Sequence, residues 1–591
     1  MRSAILKLES LDLEQFRKLP RGVLPLLAED IRHFMINSIS QVGGHIGANL
    51  ATVELSIALH YAFSSPDDIF IFDTGHSGYT HKILTGRADC FKTLNTYGGM
   101  SRFVSREESE HDFVEVSHAG TSISLALGRA LSMRNQGLPH WTVAFIGDGA
   151  LAEGMALEAL NHASVEKGVH LLIVVNDNGY AISPGFGAIH NYLEKRISGT
   201  IEADTLFSSL GYEVIGPVDG HSIDNLLEGL NRVKSSSKVC VLHAKTEKGR
   251  GLPIAADHPF KLHFSFPFNP STGEPKTPPV TPNYQDIAAL AIGDCMEKNP
   301  NITAITPSTL YATGLAGIFQ RFPERCFDPG MEEQHAVSMA VGMALSGTRP
   351  VLFYQSTFLQ RAFDQLIHDV CFANQDMMIL TVRSGFAGYD NPTHHGIYDL
   401  SYLRCLPNLR IYYPRNSHEL YEMTYRGLTD QKGPVMIHMP YGPADASEFI
   451  RYQAMLPMDH PEVLAHGMDG LILAVGNKVS ACEKAREILA AQGLSYGLVN
   501  IRQLKPLPEA DLLLLLAGTT QVVTVEESVL EGGFGAAVSA FMHRNKLDAE
   551  LLQVGLPCAF IEAGSNDELC AKYGLDCSGI ARQIADWRRQ A

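Results

Sequence analysis

Residues Trp141 to Tyr180 read WTVAFIGDGALAEGMALEALNHASVEKGVHLLIVVNDNGY, two apolar runs on either side of a mixed one. Thr142 to Ile146 is continuous, apolar and partly β-branched, as a strand buried on both faces of a parallel sheet must be. It stops at Gly147-Asp148-Gly149. From Ala150 to Lys167 the residues Leu151, Met155, Leu157, Leu160 and Ala163 recur mostly at three- and four-residue spacings among Glu153, Glu158 and His162, which predicts an amphipathic helix. His170 to Val175 is predicted as a second strand, ended by Asn176-Asp177-Asn178. The unit is βαβ, and the fold class is α/β.

In a right-handed βαβ crossover both strands end on the same edge, where open α/β sheets bind ligands. Asp148 and Asn178 are therefore expected to converge. One carboxylate, one amide oxygen and a nearby backbone carbonyl make an incomplete hard-oxygen site, of the kind Mg²⁺ accepts when a ligand's phosphates fill the remaining positions. The flanking glycines let backbone N–H groups approach those phosphates. Either tripeptide alone is an ordinary strand-ending turn. Together, at this separation, they resemble the thiamine-diphosphate motif of the transketolase-like enzymes. That resemblance implies Mg²⁺ bound by Asp148, Asn178 and the carbonyl of Tyr180, bridging the cofactor diphosphate.

The chain has 591 residues, enough for three or four domains, each with its own core. A formal charge of −17 argues against general binding to nucleic acid or an anionic membrane, so an anionic substrate must be met by local arginines, histidines and backbone amides. Ten cysteines without a CxxC pair, and an N-terminus MRSAILKLESLDLEQF without the apolar core of a secretory signal, predict a cytoplasmic protein. The longest leucine run, Leu512 to Leu516, is far short of the ~20 apolar residues a membrane span needs.

Upstream of the βαβ unit, residues 1 to 30 are predicted helical with a Pro20-Arg21-Gly22 break. Gly43-Gly44-His45-Ile46-Gly47-Ala48-Asn49-Leu50 then leads into a helix, TVELSIALHYAF. Ile69 to Phe72 is a short strand followed by the glycine-flanked His76, and Ser117-His118-Ala119-Gly120 puts small residues before an Ala/Leu helix. A histidine at such a turn is well placed to meet an anion, although a lone one is more often a capping or core residue. Taken together, DTGHSGYTHKILTG, SHAGTSIS, GDGALAEGM, GPVDGH and EKGRG follow one another as in the 1-deoxy-D-xylulose-5-phosphate synthase family, and GGHIGANLATVEL fits the same pattern. The resemblance implies cofactor contacts from His76, Ser117, His118, Ala119, Gly149, Ala150, Asn178 and Lys248. It also implies catalytic roles for His45 and His76, and substrate contacts from His45 and His263. Pro184 to Ile201 stands where the family often carries a longer insertion, and Leu252 stands where it usually has tyrosine.

Residues 264 to 283, FSFPFNPSTGEPKTPPVTPN, are proline-rich and without period, as a linker is. Strand-like ITAITPS, PVLFYQS, MMILTVRS, LRIYYPR and PVMIHMP alternate with helical stretches, a second α/β domain that ends near PYGPADASEF. LILAVGN, SYGLVNIR and QVVTVEES around the helical ACEKAREILAAQG make a third. We expect domains at 1–270, 284–445 and 457–591. By resemblance these are a diphosphate- and Mg²⁺-binding domain, a pyrimidine-binding domain and a C-terminal transketolase-like domain, with mainly parallel sheets, in a homodimer.

Glu332 and Glu333 precede a small-residue helix. A carboxyl group there, facing apolar neighbours, can share a proton with a ligand nitrogen, although an isolated pair would simply complement the helix dipole. The family's EQHAV motif selects Glu333, whose implied role is to hydrogen-bond the aminopyrimidine of thiamine diphosphate. In STFLQRAFDQ the resemblance implies that Phe358 stacks on the aminopyrimidine and that Arg361 lies in the pocket; without it, Phe358 would be read as core. Gln355 stands where the family usually has tyrosine. Arg383, Asp390 and His394 complete the implied substrate pocket, and the resemblance also implies a catalytic role for His394, orienting the acceptor or relaying a proton. Tyr441, in Met439-Pro440-Tyr441-Gly442, stands where the family carries a second phosphate-binding arginine.

The resulting expectation is a thiamine-diphosphate- and Mg²⁺-dependent transferase of aldehyde or ketone residues. It would join pyruvate to D-glyceraldehyde 3-phosphate with loss of carbon dioxide, or to another acceptor if Tyr441 alters the choice. Two alternatives stand beside it. A transketolase-type enzyme would move a ketol unit without releasing carbon dioxide, and a non-catalytic paralogue would bind cofactor without turnover.

Overall fold

In the computed structural model, which describes residues 8–201, 206–444, 449, 451 and 456–590, the chain forms two compact units, Met1–Pro279 with Gly330–Glu332, and Val280–Pro329 with Glu333–Ala591. The first unit is built on strands β1 (Ile69–Phe72), β2 (Thr142–Gly147), β3 (Leu171–Asp177), β4 (Glu213–Asp219) and β5 (Cys240–Lys245). They lie in the order β1-β2-β3-β5-β4, and every pair is parallel.

Successive residues of β2 and β3 enter opposite cores, as the two-residue period of a strand requires. Val143, Phe145, Leu172 and Val174 face helices Leu24–Val42, Val53–Ala62 and Ile223–Ser235. Ala144, Ile146, Leu171, Ile173 and Val175 face helices Ser122–Gln136 and Gly154–Ala163. Full burial of such side chains contributes about 1.5–3 kcal/mol each, so both faces of the sheet hold the register of these strands. In that register Gly147 lies beside Asn176, so Asp148 and Asn178 leave the sheet at the same edge.

Three local expectations are revised. The helix expected from Ala150 to Lys167 is instead a turn, Asp148–Leu151, and a separate helix, Gly154–Ala163. Glu153 between them is extended at φ −61° and ψ 139°, and its carboxylate lies so close to Gly120 that a Cβ there would come within 2.2 Å of it. The second strand runs on through Asn176 and Asp177. The first part of the expected linker is docked on the first unit: Ser265 and Gly44 exchange backbone hydrogen bonds at 2.8 and 2.9 Å, and Phe268 is buried in the core.

The second unit carries two sheets. Strands β6 (Ile302–Ile305), β7 (Cys326–Phe327), β8 (Arg349–Gln355), β9 (Met377–Val382), β10 (Arg410–Tyr412) and β11 (Pro434–His438) are mutually parallel. Strands β12 (Glu462–Ala465), β13 (Gly470–Val475), β14 (Tyr496–Ile501), β16 (Gln521–Val529) and β17 (Glu550–Leu556) form the other sheet, parallel except for β12. The short β15 (Gln503–Lys505) crosses between them, pairing antiparallel with β10. One apolar cluster likewise joins Leu352, Ile379 and Ile411 to Leu473, Val499 and Phe534. The second and third expected regions thus share a core. Residues 445–448 of the expected boundary lie outside the described residues. Among the described residues no helix is long and apolar enough to cross a membrane.

Candidate functional site

At the carboxyl edge of the first sheet, Asp148 is buried and its Oδ1 has no hydrogen-bond partner among the described residues. Burial, together with the neighbouring Asp177 carboxylate, pushes its carboxyl up to about 7, against the opposing pull of Lys248. Asp177 is already engaged, 2.8 Å from His243 Nε2, and Asn176 Oδ1 accepts from Thr246 Oγ1 at 2.6 Å. The first two residues of Asn176-Asp177-Asn178 therefore tie β3 to β5 and its continuation. Asn178 turns its Oδ1 toward Tyr180 N, which donates to it at 3.2 Å.

Lys248 is buried and donates to the carbonyl of Ala181. Burial pushes its ammonium down to about 7, with Asp148 opposing. Gly149 lets the Ala181 segment approach closely: a Cβ there would lie 2.7 Å from the Ala181 Cβ. A buried carboxylate with an unused oxygen, an amide oxygen, a carbonyl and a lysine fit a divalent cation carrying a diphosphate. Ala150 is buried beside them.

Three of the expected histidines meet. The rings of His45 and His76 are 5.3 Å apart, His45 and His263 5.5 Å, and His76 and His263 5.0 Å. Burial, with Lys248 adding to it, pushes His76 down to about 3, and His263 also falls well below the ordinary histidine range for the same two reasons. Both rings are neutral at physiological pH. The Lys248 charge bears on both histidines and on Asp148 alike. Ser117, His118 and Ala119 lie on the turn before helix Ser122–Gln136. Asp73 holds that turn, accepting from Gly120 N at 2.9 Å and Ser122 N at 3.1 Å.

The remaining expected residues lie on the second unit. Glu333 opens the helix Glu333–Leu345, its carbonyl accepts from Tyr354 OH at 3.0 Å, and Arg361 Nη1 lies 3.5 Å from its Oε2. Phe358, on the turn Ser356–Leu359, meets His394 edge-on with ring centres 5.6 Å apart. Arg383 follows β9 in a left-handed conformation, φ 66°, and donates from Nη1 to Asp390 Oδ2 at 2.7 Å. Its guanidinium lies 4.7 Å from the centre of the Tyr441 ring. Gln355 is the last residue of β8.

Several supporting residues escaped the sequence reading. Asn49 donates to the carbonyls of His45 at 2.6 Å and His76 at 2.7 Å and accepts from Tyr79 N at 2.8 Å, tying both histidine turns together. Its place four residues after His45, on the helix Ile46–Ala51 that His45 precedes, was the available signal. On the second unit Ser356 Oγ donates to Asp399, and His438 Nδ1 lies 2.9 Å from both Thr381 Oγ1 and Ser384 Oγ. Burial pushes Asp399 up to about 7 despite the serines. This cluster joins the ends of β8, β9 and β11 beneath the turns that carry Phe358 and Arg383.

The family profile described as 1-deoxy-D-xylulose-5-phosphate synthase matches residues 8–202 and 194–246; that of the transketolase pyrimidine-binding domain matches 280–443, and that of the transketolase C-terminal domain 460–580. A curated 1-deoxy-D-xylulose-5-phosphate synthase 1 from Geobacter sulfurreducens is 38% identical, covering 96% of this chain and 94% of its own. A synthase of that name from Listeria monocytogenes is 39% identical over 96% and 95%. Among solved structures, a transketolase from Leishmania mexicana aligns at 16% identity over 96% of this chain and 97% of its own, with a TM-score of 0.43.

Proposed function

This chain belongs to the 1-deoxy-D-xylulose-5-phosphate synthase family, and we propose that it joins pyruvate to D-glyceraldehyde 3-phosphate with loss of carbon dioxide, giving 1-deoxy-D-xylulose 5-phosphate. The observation that carries the reading is Asp148, a carboxylate buried at the edge where such sheets bind ligands, with one oxygen unused. With Asn178 Oδ1 and the Tyr180 carbonyl it offers three oxygens to Mg²⁺, and the Lys248 ammonium would meet the diphosphate charge.

Bound thiamine diphosphate supplies the electron sink for decarboxylating a 2-keto acid and transferring the remaining carbons to an aldehyde. The residues supply placement and proton control. Glu333 would hydrogen-bond the aminopyrimidine through its carboxyl group, and Arg361, 3.5 Å away, would help to orient that group. Phe358 would offer its ring to the same group. Neutral His76 leaves its Nδ1 without a hydrogen-bond partner among the described residues, and that nitrogen would meet a polar group of the substrate. His45 and His263 pack against it and would shield the pyruvate side from water. Arg383 and His394 would receive the acceptor.

A specific observation favours a second reading of the acceptor. The Arg383 guanidinium is engaged by Asp390 and lies against an uncharged phenol, Tyr441. Such a pocket meets a phosphate with less positive charge than one with two unpaired guanidinium groups, which favours a less anionic aldehyde.

The test is incubation with thiamine diphosphate, Mg²⁺, pyruvate and aldehydes with and without phosphate, measuring carbon dioxide and product masses. Carbon dioxide release with a pyruvate-derived ketose supports the proposal. Ketol transfer without carbon dioxide would replace it with a transketolase activity, and cofactor binding without turnover would make the chain a silent paralogue.

We further propose a cytoplasmic homodimer with domain limits near 270, 284, 445 and 457. Helix Glu333–Leu345 and the helical turn Leu366–Phe372 leave Leu345, Ile367 and Phe372 exposed, apolar surface of the kind that partners cover. Sedimentation of a monomer at micromolar concentration would exclude the dimer.

A further inference from the structure

Glu54 gathers residues from three distant parts of the first unit. It lies near the start of helix Val53–Ala62 and is 8% exposed. Arg32 Nη2, from helix Leu24–Val42, donates to its two oxygens at 2.7 and 2.9 Å. On its other side His221, the last residue of the GPVDGH motif, brings Nδ1 to 3.0 Å from Glu54 Oε2. Burial pushes the Glu54 carboxyl up, but the His221 hydrogen bond and the Arg32 charge outweigh it and leave it below the ordinary glutamate range. It stays an anion.

The same two partners reach onward to one turn. His221 Nε2 accepts from Glu247 N at 2.8 Å. Since a backbone N–H only donates, Nε2 carries the lone pair, and the ring proton sits on Nδ1, facing Glu54. Arg32 Nε donates to the carbonyl of Arg250 at 3.2 Å, and its stem occupies the space above Gly251, where a Cβ would lie 2.3 Å from Arg32 Cδ. Gly251 also has φ +80°, which a side chain would strain. Between those two anchor points sits Lys248.

We infer that Glu54, Arg32 and His221 are positioning residues that hold the Glu247–Arg250 turn so that the Lys248 ammonium is set for a diphosphate before it arrives. Glu54 touches no substrate. It orients His221 and Arg32, and they grip the backbone on either side of Lys248. This rests on the reading of Lys248 as a cofactor-binding residue. It accounts for the His of GPVDGH and for Arg32, to which the proposed chemistry gives no task. A buried ion pair held in this way secures a geometry more than it adds stability.

The test compares Glu54→Gln, His221→Gln and Lys248→Ala with the wild type. It measures the Kd for thiamine diphosphate with Mg²⁺, kcat and pyruvate KM at saturating cofactor, and the melting temperature. All three variants should bind cofactor roughly tenfold or more weakly, as outer-shell losses do, while Glu54→Gln and His221→Gln keep kcat and pyruvate KM within about twofold of wild type. If Lys248→Ala weakens cofactor binding and the other two only lower the melting temperature, the inference is overturned and the reading of Lys248 stands. If none of the three alters cofactor binding, that reading fails and the inference fails with it. Should Glu54→Gln not fold, His221→Gln, which leaves the Arg32–Glu54 pair intact, decides.

Discussion

Arg383 lays its guanidinium 4.7 Å from the centre of the Tyr441 ring while Asp390 accepts from it at 2.7 Å. An aromatic face and a carboxylate thus occupy the cation that would otherwise be offered whole to an acceptor phosphate. Replacing the phenol changes that balance. Tyr441→Arg is expected to raise kcat/KM for glyceraldehyde 3-phosphate by roughly ten- to a hundredfold, since a charge-assisted hydrogen bond contributes about 1.5–3 kcal/mol. It should leave the pyruvate KM unchanged and add nothing for unphosphorylated glyceraldehyde. Equal kcat/KM in wild type and variant would remove the case for an altered acceptor.

Asp148→Asn should act in opposite directions on the two forms of the protein. Its folded pKa, about 7, lies above the ordinary aspartate value, so above pH 7 the buried charge destabilises the cofactor-free protein, and the neutral amide relieves that cost. The variant is expected to melt higher than wild type at pH 8 without ligands. With Mg²⁺ and thiamine diphosphate it should gain little further, whereas the wild type gains several degrees. Equal ligand stabilisation in both would exclude Asp148 as a metal ligand.

The two adjacent glutamates are separable by isotope exchange at the thiazolium carbon of the cofactor. Glu333→Ala is expected to slow that exchange by roughly two to four orders of magnitude, the range for loss of a positioned acid or base, with the fold retained. Glu332→Ala should change it far less. Similar rates for both variants would put the proton control elsewhere.

Asp399 gives a pH dependence of stability that its own removal should flatten. Burial raises it to about 7, and the groups facing it include the Ser356 hydroxyl, Ser384 Oγ at 3.5 Å, His438 Nδ1 at 3.7 Å and the Tyr402 and Tyr413 phenols. A raised folded pKa means that its favourable contribution is complete below the ordinary aspartate range, near pH 4, and is lost as pH climbs to about 7. Between pH 4 and 8 wild type should therefore lose on the order of 4 kcal/mol more than Asp399→Asn, measured by denaturant titration. Parallel curves would show that Asp399 ionises normally.

Sequence reading reached the strands and their ends because both obey local rules. Val143 and Ala144 point to opposite cores, so β2 must be apolar throughout, and a chain so patterned can end only at a glycine or polar turn. The same reading placed Asp148 and Asn178 on one edge. What it could not reach depends on pairs remote in the chain. Nothing between residues 142 and 170 says that Glu153 will turn extended and set its carboxylate against Gly120. Nor does the tripeptide Asn176-Asp177-Asn178 say that His243 takes its middle residue. Asn49 was hidden differently: its three hydrogen bonds join turns that sequence had already named, and only their approach in space gives it a task.

Gln503–Lys505 borders the sheet of the preceding region by pairing with Arg410–Tyr412. Without it β10 would present a bare row of amides and carbonyls, a template for pairing with another chain. Genetic dissection near residue 450, between the two proposed domains, would therefore yield two adhesive fragments. The fragment ending there would lose its edge guard, and the remainder would expose Leu473, Val499 and Phe534. Both are expected to precipitate when produced separately and to stay in solution when produced together.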